Sequence, residues 1–523
     1  RLKSVWNDQR CCHGRHQNTG LDWQIRSKVM IWEVALITAY ITALVIIFVF
    51  ALTQIQLLRH YLSATRKQKA LPQWDLSKGD AYPLVTIQLP LYNEANVVSR
   101  LLDCITQLDY PKACLEIQIL DDSTDETTGL ITELLPQYLQ AGCQITHLMR
   151  AQRTGFKAGA LKEGLATARG DYMAIFDADF LPSPSWLKET LPYFKNPKVG
   201  AVQTRWGHLN KDNSLLTKIQ AFALDIHFTL EQLGRHTKGY FINFNGTAGI
   251  WRKTAILDAG NWEGDTLTED LDLSYRAQMR SWQIVYLSQV ITPAELPDSI
   301  QAARAQQFRW NKGGAENFQK SIKQVLRHPG LSVGQKFHGT IHLLSSTLFL
   351  QVFTLAILSV PLLVIKQRHP ELAWLFWVMN GFGLTTLMLY MTYGLLFQNL
   401  HGRTWRTWMK FTGLFFSFFS IAIGFSLSNS RGVLEGHIGK KSEFVRTPKY
   451  NDGVLTKEKL RKNYQRNTPW TILITEGLMM HYFAFGLYLG FNVGPEGDFG
   501  LIAFHLMAVF GFGYLFFKSI FAP

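Results

Sequence analysis

The chain has 523 residues, 47% hydrophobic, 13% aromatic and only 18% charged, enough for a sizeable soluble domain together with a membrane region. Its formal charge of +14 suits anionic lipid and an anionic nucleotide, and no other feature supports a nucleic-acid partner. The five cysteines, Cys11, Cys12, Cys104, Cys114 and Cys143, lack the spacing of a metal site.

In chain order, residues 1–29 form a basic segment ahead of Met30, the first methionine. They are expected to be a non-native extension, a fragment of a longer product or a native outer segment. Residues 30–58 hold a first membrane helix, because the charge-free run 34–53 matches the ~20 residues that cross a bilayer. Residues 59–298 alternate short apolar strands with helices, the pattern of a mainly parallel, covered sheet. Strands are expected at 84–89, 115–120 and 172–176, with a further element at 143–149. Helices are expected at 97–107 and 157–168. Function in such sheets gathers beyond the carboxyl ends of the strands, where Asp121-Asp122 and Asp177-Ala178-Asp179 fall.

Residues 299–337 read as interfacial helices carrying Gln306, Arg309 and Trp310. Two membrane helices follow in 338–398. The apolar run 411–428 within 399–438 is expected to lie at the interface or to re-enter, because crossing would export the stretch 429–469, which carries ten Lys/Arg against four Asp/Glu. Basic loops favour the cytoplasmic side. Residues 439–469 are therefore a cytoplasmic basic segment, and 470–523 supply two last membrane helices. Five crossings then leave the N-terminus outside and residues 59–337 in the cytoplasm.

The acidic clusters suggest their own chemistry. Alternation at a strand end puts Asp177 and Asp179 on one side, where paired carboxylates suit a hard divalent cation. Asp121 and Asp122 precede a helix and could also serve as a cap. Lys157 stands at a helix start, where a cation and free N–H groups together suit a diphosphate. The cluster Asp265, Glu269, Asp270 and Asp272 collects acids that could raise the pKa of Asp270. At helical spacing Gln306 and Trp310 share a face, with Arg309 alongside.

This ordered set, followed by long apolar runs, resembles the processive, membrane-embedded inverting glycosyltransferases of family 2, the cellulose synthase and cellulose-synthase-like group. The Gly155–Leu161 stretch resembles that group's Lys-Ala-Gly-Ala-Leu signature, and the Phe444–Lys449 stretch resembles its gating loop, with Arg446 where a valine is usual. The resemblance implies a GT-A-type α/β nucleotide-sugar domain with a mainly parallel sheet, plus an α-helical transmembrane region with interfacial helices. It implies that Tyr92, Glu94, Asp121 and Asp122 line the base pocket, while Lys157, Asp177 and Arg309 meet the rest of the donor. Asp179, with Asp177, would hold Mg²⁺ or Mn²⁺. Asp270, beside Glu269, would be the base, and Gln306 and Trp310 would seat the acceptor. Phe444, Thr447 and Lys449 would form the gate.

The implied reaction polymerises a β-linked polysaccharide and moves it across the membrane, with UDP-glucose favoured as donor and GDP-mannose possible. The partners are the nucleotide sugar, the growing polysaccharide and the lipid bilayer, with no nucleic acid and accessory subunits left open. The setting is a bacterial inner or plasma membrane, or a eukaryotic Golgi or plasma membrane, with the catalytic domain cytoplasmic. The alternative is a non-processive lipid glycosyltransferase of the ceramide glucosyltransferase kind, which predicts neither a long channel nor a gate.

Overall fold

The computed structural model describes residues 19–66, 81–442, 447, 449, 468–492 and 498–521. Helix α1 (Thr19–Arg66) leads into a seven-stranded sheet. Its strands are β1 (Val85–Leu91), β2 (Leu115–Asp121), β3 (Gln144–Met149), β4 (Tyr172–Ile175), β5 (Val199–His208), β6 (Gly249–Arg252) and β7 (Gln283–Ala294), in the order β3-β2-β1-β4-β6-β5-β7. All the pairings are parallel except the two made by β6. Every residue of β2 is buried, as expected for a parallel strand covered on both faces. This mainly parallel sheet is the one expected of the GT-A-type domain that the resemblance implied.

Three helices bring chemistry to the carboxyl edge of the sheet. They are α2 (Phe156–Thr167), α3 (Leu215–Asp225) and α4 (Glu269–Met279). A π-helix, Ile226–Gln232, continues α3. The 28-residue α5 (Ile300–Arg327) then crosses in front of the site. It braces the first turn of α4: Asn317 Nδ2 donates to Thr268 Oγ1 at 2.9 Å, and a side chain at Gly313 would collide with the same threonine.

The apolar half comprises α6 (Leu348–Arg368), α7 (Gly383–His401), α8 (Trp405–His437), α9 (Trp470–Asn492) and α10 (Ile502–Phe521). Six helices among the described residues, α1 included, are long and apolar enough to cross a membrane. Their ends sort into two groups. Lys366 pairs with Asp498 at 2.6 Å, and Glu33 pairs with His369 at 2.5 Å, gathering the far ends of α1, α6, α9 and α10. At the other end, Arg304 of α5 meets Glu476 at 2.6 Å and Gln301 meets Thr468 at 3.0 Å.

Helix α8 behaves differently. Phe411 and Phe415 pack with Leu57, Tyr61 and Phe222, and Ile421 and Phe425 pack with Leu216, Ile219 and Ala303. Gly436 lies against the backbone of Lys312. The helix thus follows the sheet-containing unit along its length, with both ends on that side. It is unbroken over 33 residues, starting at a Thr404 side-chain cap, so the re-entrant form expected for 411–428 is corrected: a re-entrant segment needs a turn.

Small residues let α8 and α10 meet. A Cβ built on Gly511 would lie 1.8 Å from the carbonyl oxygen of Ser420, and one on Gly424 would lie 2.6 Å from the carbonyl oxygen of Gly511. Such contact lets helix backbones approach closely. Gly511→Ala is expected to destabilise the chain by about 1–3 kcal/mol through overpacking, read as a lowered unfolding midpoint in detergent. An unchanged midpoint would mean that the two helices separate freely.

Candidate active site

At the carboxyl edge of the sheet lies a cavity of about 190 Å³. Tyr92, Glu94, Asp122, Lys157, Asp177, Asp179, Glu269, Asp270, Gln306, Arg309, Trp310, Thr447 and Lys449 all line it. Residues far apart in the chain are therefore brought together by the sheet, α2, α4 and α5. Asp121 is the exception. It points inward, accepting from the Ser123 amide (2.9 Å), Thr128 Oγ1 (2.7 Å) and His147 Nε2 (3.0 Å). Burial raises its pKa, but these hydrogen bonds outweigh burial and hold it at about 2. The expectation that Asp121 lines the pocket is corrected, because its oxygens are consumed in fixing the turn after β2. Phe444 lies outside the described residues.

Asp122 is gripped in bidentate fashion by Arg150, Nη2 to Oδ2 at 2.5 Å and Nε to Oδ1 at 2.8 Å. Arg153 lays its guanidinium 3.4 Å from the centroid of the Tyr92 ring. Neither arginine was singled out from the sequence. The only signal was a basic, glycine-containing loop, which did not reveal that β3 delivers it beside β2.

The two carboxylates of the Asp-x-Asp pair are each met by a lysine. Lys157 Nζ donates to Asp177 Oδ1 at 2.5 Å and to the carbonyl of Gly246 at 2.9 Å. Lys449 Nζ donates to Asp179 Oδ2 at 2.8 Å, and the same oxygen accepts the Glu295 amide at 3.0 Å. Burial opposes the charge on both lysines, but Asp177 and Asp179 respectively outweigh it and raise their pKa values. Hard carboxylate oxygens at i and i+2, beside a cavity that also holds Lys157 and Arg309, could hold a divalent cation. A second acidic group, Glu263, Asp265 and Asp272, brings its oxygens within 4.8 Å of one another. Lys320 fills it, at 2.7, 2.8 and 3.0 Å from the three.

Glu269 and Asp270 start α4 at the cavity wall. Burial, then the neighbouring Glu269 carboxylate, push Asp270 up to about 7, while burial also raises Glu269. Asp265 and Asp272, expected to help raise it, are instead neutralised by Lys320, and Arg276 holds Asp272 at 2.7 Å. Gly246, at φ +78°, closes over this pair. A Cβ there would stand 3.2 Å from Asp270 Oδ2 and would require a strained backbone. Arg309 faces Glu269, Asp177 and Asp270, whose charges partly offset the burial that lowers its pKa.

The family described as glycosyltransferase like family 2 matches residues 83–313. Probable glucomannan 4-beta-mannosyltransferase 4 of Oryza sativa subsp. japonica is 41% identical over 263 residues, 49% of this chain and 48% of its own. Glucomannan 4-beta-mannosyltransferase 9 of Arabidopsis thaliana is 36% identical over 357 residues, 65% of this chain and 67% of that protein. The aligned region spans about half the length of the rice relative. Among solved structures, a mannosyltransferase from Pyrobaculum calidifontis in complex with GDP-Man and Mn2+ has a TM-score of 0.49 at 20% identity, covering 77% of this chain and 97% of that one.

The raised pKa of Asp270 has a consequence for stability. Between its ordinary value of 3.8 and about 7, the folded chain keeps a proton that the unfolded chain has lost. Stability contributed at this carboxyl is full below that window and falls as pH rises through it. Asp270→Asn, which cannot ionise, should flatten this fall, measured as the unfolding midpoint across about pH 4–7. An identical slope in the variant would show that Asp270 titrates near its ordinary value.

Proposed function

The chain belongs to glycosyltransferase family 2, and from that premise we propose that it is a membrane-embedded inverting mannosyltransferase building a β-linked mannan or glucomannan. The observation that carries this reading is the convergence of Asp177, Asp179, Asp270, Arg309 and Trp310 on one cavity. The relatives' mannosyltransferase names favour GDP-mannose over the expected UDP-glucose, and they do not favour the lipid-transferase alternative.

In the proposed reaction the hydroxyl of the acceptor chain attacks the anomeric carbon of the donor. The carbon–oxygen bond to the diphosphate breaks on the opposite face, and Asp270 takes the hydroxyl proton. A carboxyl pushed up to about 7 is poised for that transfer near neutral pH. Lys157 and Arg309 offset the charge of the leaving diphosphate. Asp177 and Asp179 would hold Mg²⁺ or Mn²⁺, which supplies Lewis-acid charge to the diphosphate when bound. Trp310 offers a flat face to the acceptor sugar, and Gln306 stands one turn before it on α5. Thr447 and Lys449, which line the cavity, would act as a gate over the donor. Shielding the donor from water in this way limits wasteful hydrolysis.

The sorted helix ends support five crossings, by α1, α6, the 370–401 span containing α7, α9 and α10, with α8 lying at the membrane surface. The catalytic unit then occupies the cytoplasmic side with the basic segment, and the polymer leaves through the bundle. Cysteines introduced at Trp374 and Ser442, in a chain whose five native cysteines are replaced by serine, separate the two faces. An impermeant reagent should label the first in sealed, right-side-out cells and the second only after permeabilisation. Labelling of Ser442→Cys in intact cells would overturn this topology.

Membranes carrying the chain, incubated separately with GDP-mannose and UDP-glucose, should form a β-mannanase-sensitive polymer from the first. Polymer from UDP-glucose alone would refute the mannose donor, and none from either would refute the transferase reading. Asp270→Asn should lower polymer synthesis by about 10²–10⁴-fold while nucleotide binding persists, since the amide cannot take a proton.

A further inference from the structure

The loop 243–247, which carries Gly246 over Asp270, is held from behind by the π-helix. Gln232 is fully buried, and its Nε2 donates to the Asn243 carbonyl at 2.7 Å and to Asn245 Oδ1 at 2.6 Å. Its Oε1 accepts the Asn243 amide at 3.2 Å. The backbone N–H of Asn245 donates in turn to Gln203 Oε1 at 2.9 Å. A π-helix is an uncommon element, frequent at functional sites because it re-aims side chains along an otherwise regular helix.

His227, on the same element, completes the arrangement. Its Nδ1 lies 3.2 Å from Glu231 Oε2, and its Nε2 lies 3.1 Å from Asn245 Nδ2. An ionised carboxylate only accepts, so Nδ1 carries the proton and Nε2 presents a lone pair to the Asn245 amide. Glu231 is anchored by Gln54 of α1 at 3.0 Å and faces Arg235 at 3.4 Å. With its Oδ1 taken by Gln232 and one Nδ2 hydrogen by His227, the Asn245 amide cannot flip. One N–H remains, on a side chain that lines the cavity beside Gly246 and Asp270.

We infer that Asn245 uses this N–H to read a hydroxyl of the donor hexose, and that His227, outside the cavity, is the positioning residue that aims it. The inference rests on the mannosyltransferase reading and deepens it: a fixed donor on the cavity wall discriminates between sugars that differ in the direction of one hydroxyl. A site built to hydrogen-bond a hydroxyl discriminates through the polar group left unpaired by the wrong ligand.

The test is the ratio of kcat/KM for GDP-mannose to that for GDP-glucose, two donors that share a nucleotide and differ in one hydroxyl's configuration, measured on the full chain in membranes. His227→Phe keeps a flat aromatic ring but offers no acceptor, and should shift the ratio about fivefold, the worth of one hydrogen bond. His227→Gln, which can accept and donate at similar reach, should return it towards the wild-type value. If His227→Phe fails to accumulate, Asn245→Ala should shift the same ratio by removing the amide itself. A shifted ratio with unaltered inhibition by GDP supports the assignment. Both donors falling in step, or neither changing, overturns it while leaving the mannosyltransferase reading intact. A wild-type chain that uses neither donor overturns both.

Discussion

The ammonium of Lys157 is the charge around which the site is assembled. It sits on the first turn of α2, donates to Asp177 at the end of β4, and reaches the carbonyl of Gly246 in the loop that covers Asp270. Sheet, helix and loop therefore meet at one half-buried cation. Burying any of these charges alone would be costly, and a buried charge is tolerable when it is paired and hydrogen-bonded. The same lysine attracts Glu269 and Asp270, so the group pushed towards neutral pH and the Lys157–Asp177 pair belong to one electrostatic unit.

How much of this could be read from the amino acids depends on the range of the interaction concerned. Strand ends followed by acids are local patterns, and β1, β2 and β4 fall within two residues of where the apolar runs place them. The helix with Gln306, Arg309 and Trp310 follows from spacing alone, as does its position before the membrane region. Asp121 was misjudged because its partners include His147, delivered by the neighbouring strand. Arg150 reaches Asp122 for the same reason. Neither contact has a signature in sequence, because both depend on which strands are neighbours. Lys320, which neutralises the acids around α4, is likewise placed by the path of α5.

The membrane half illustrates the same limit. Length and hydropathy treat α8 like its five companions. Only its contacts distinguish it, because aromatic residues along its length are taken up by α1, α3 and α7. Helices that pack through Gly424 and Gly511 depend on the absence of side chains, and composition says little about which absence matters. The π-helix is less visible still, since it differs from an α-helix by a single register shift.

The pairing of Lys449 with Asp179 carries a consequence for how the site handles charge. Both acids of the Asp-x-Asp pair already have a lysine at hydrogen-bonding distance. A cation held there would displace an ammonium instead of relieving two bare carboxylates. Pairing of this kind means that neither carboxylate relies on a metal for its counter-charge. It also makes Lys449, 270 residues further along the chain, the counter-ion of Asp179.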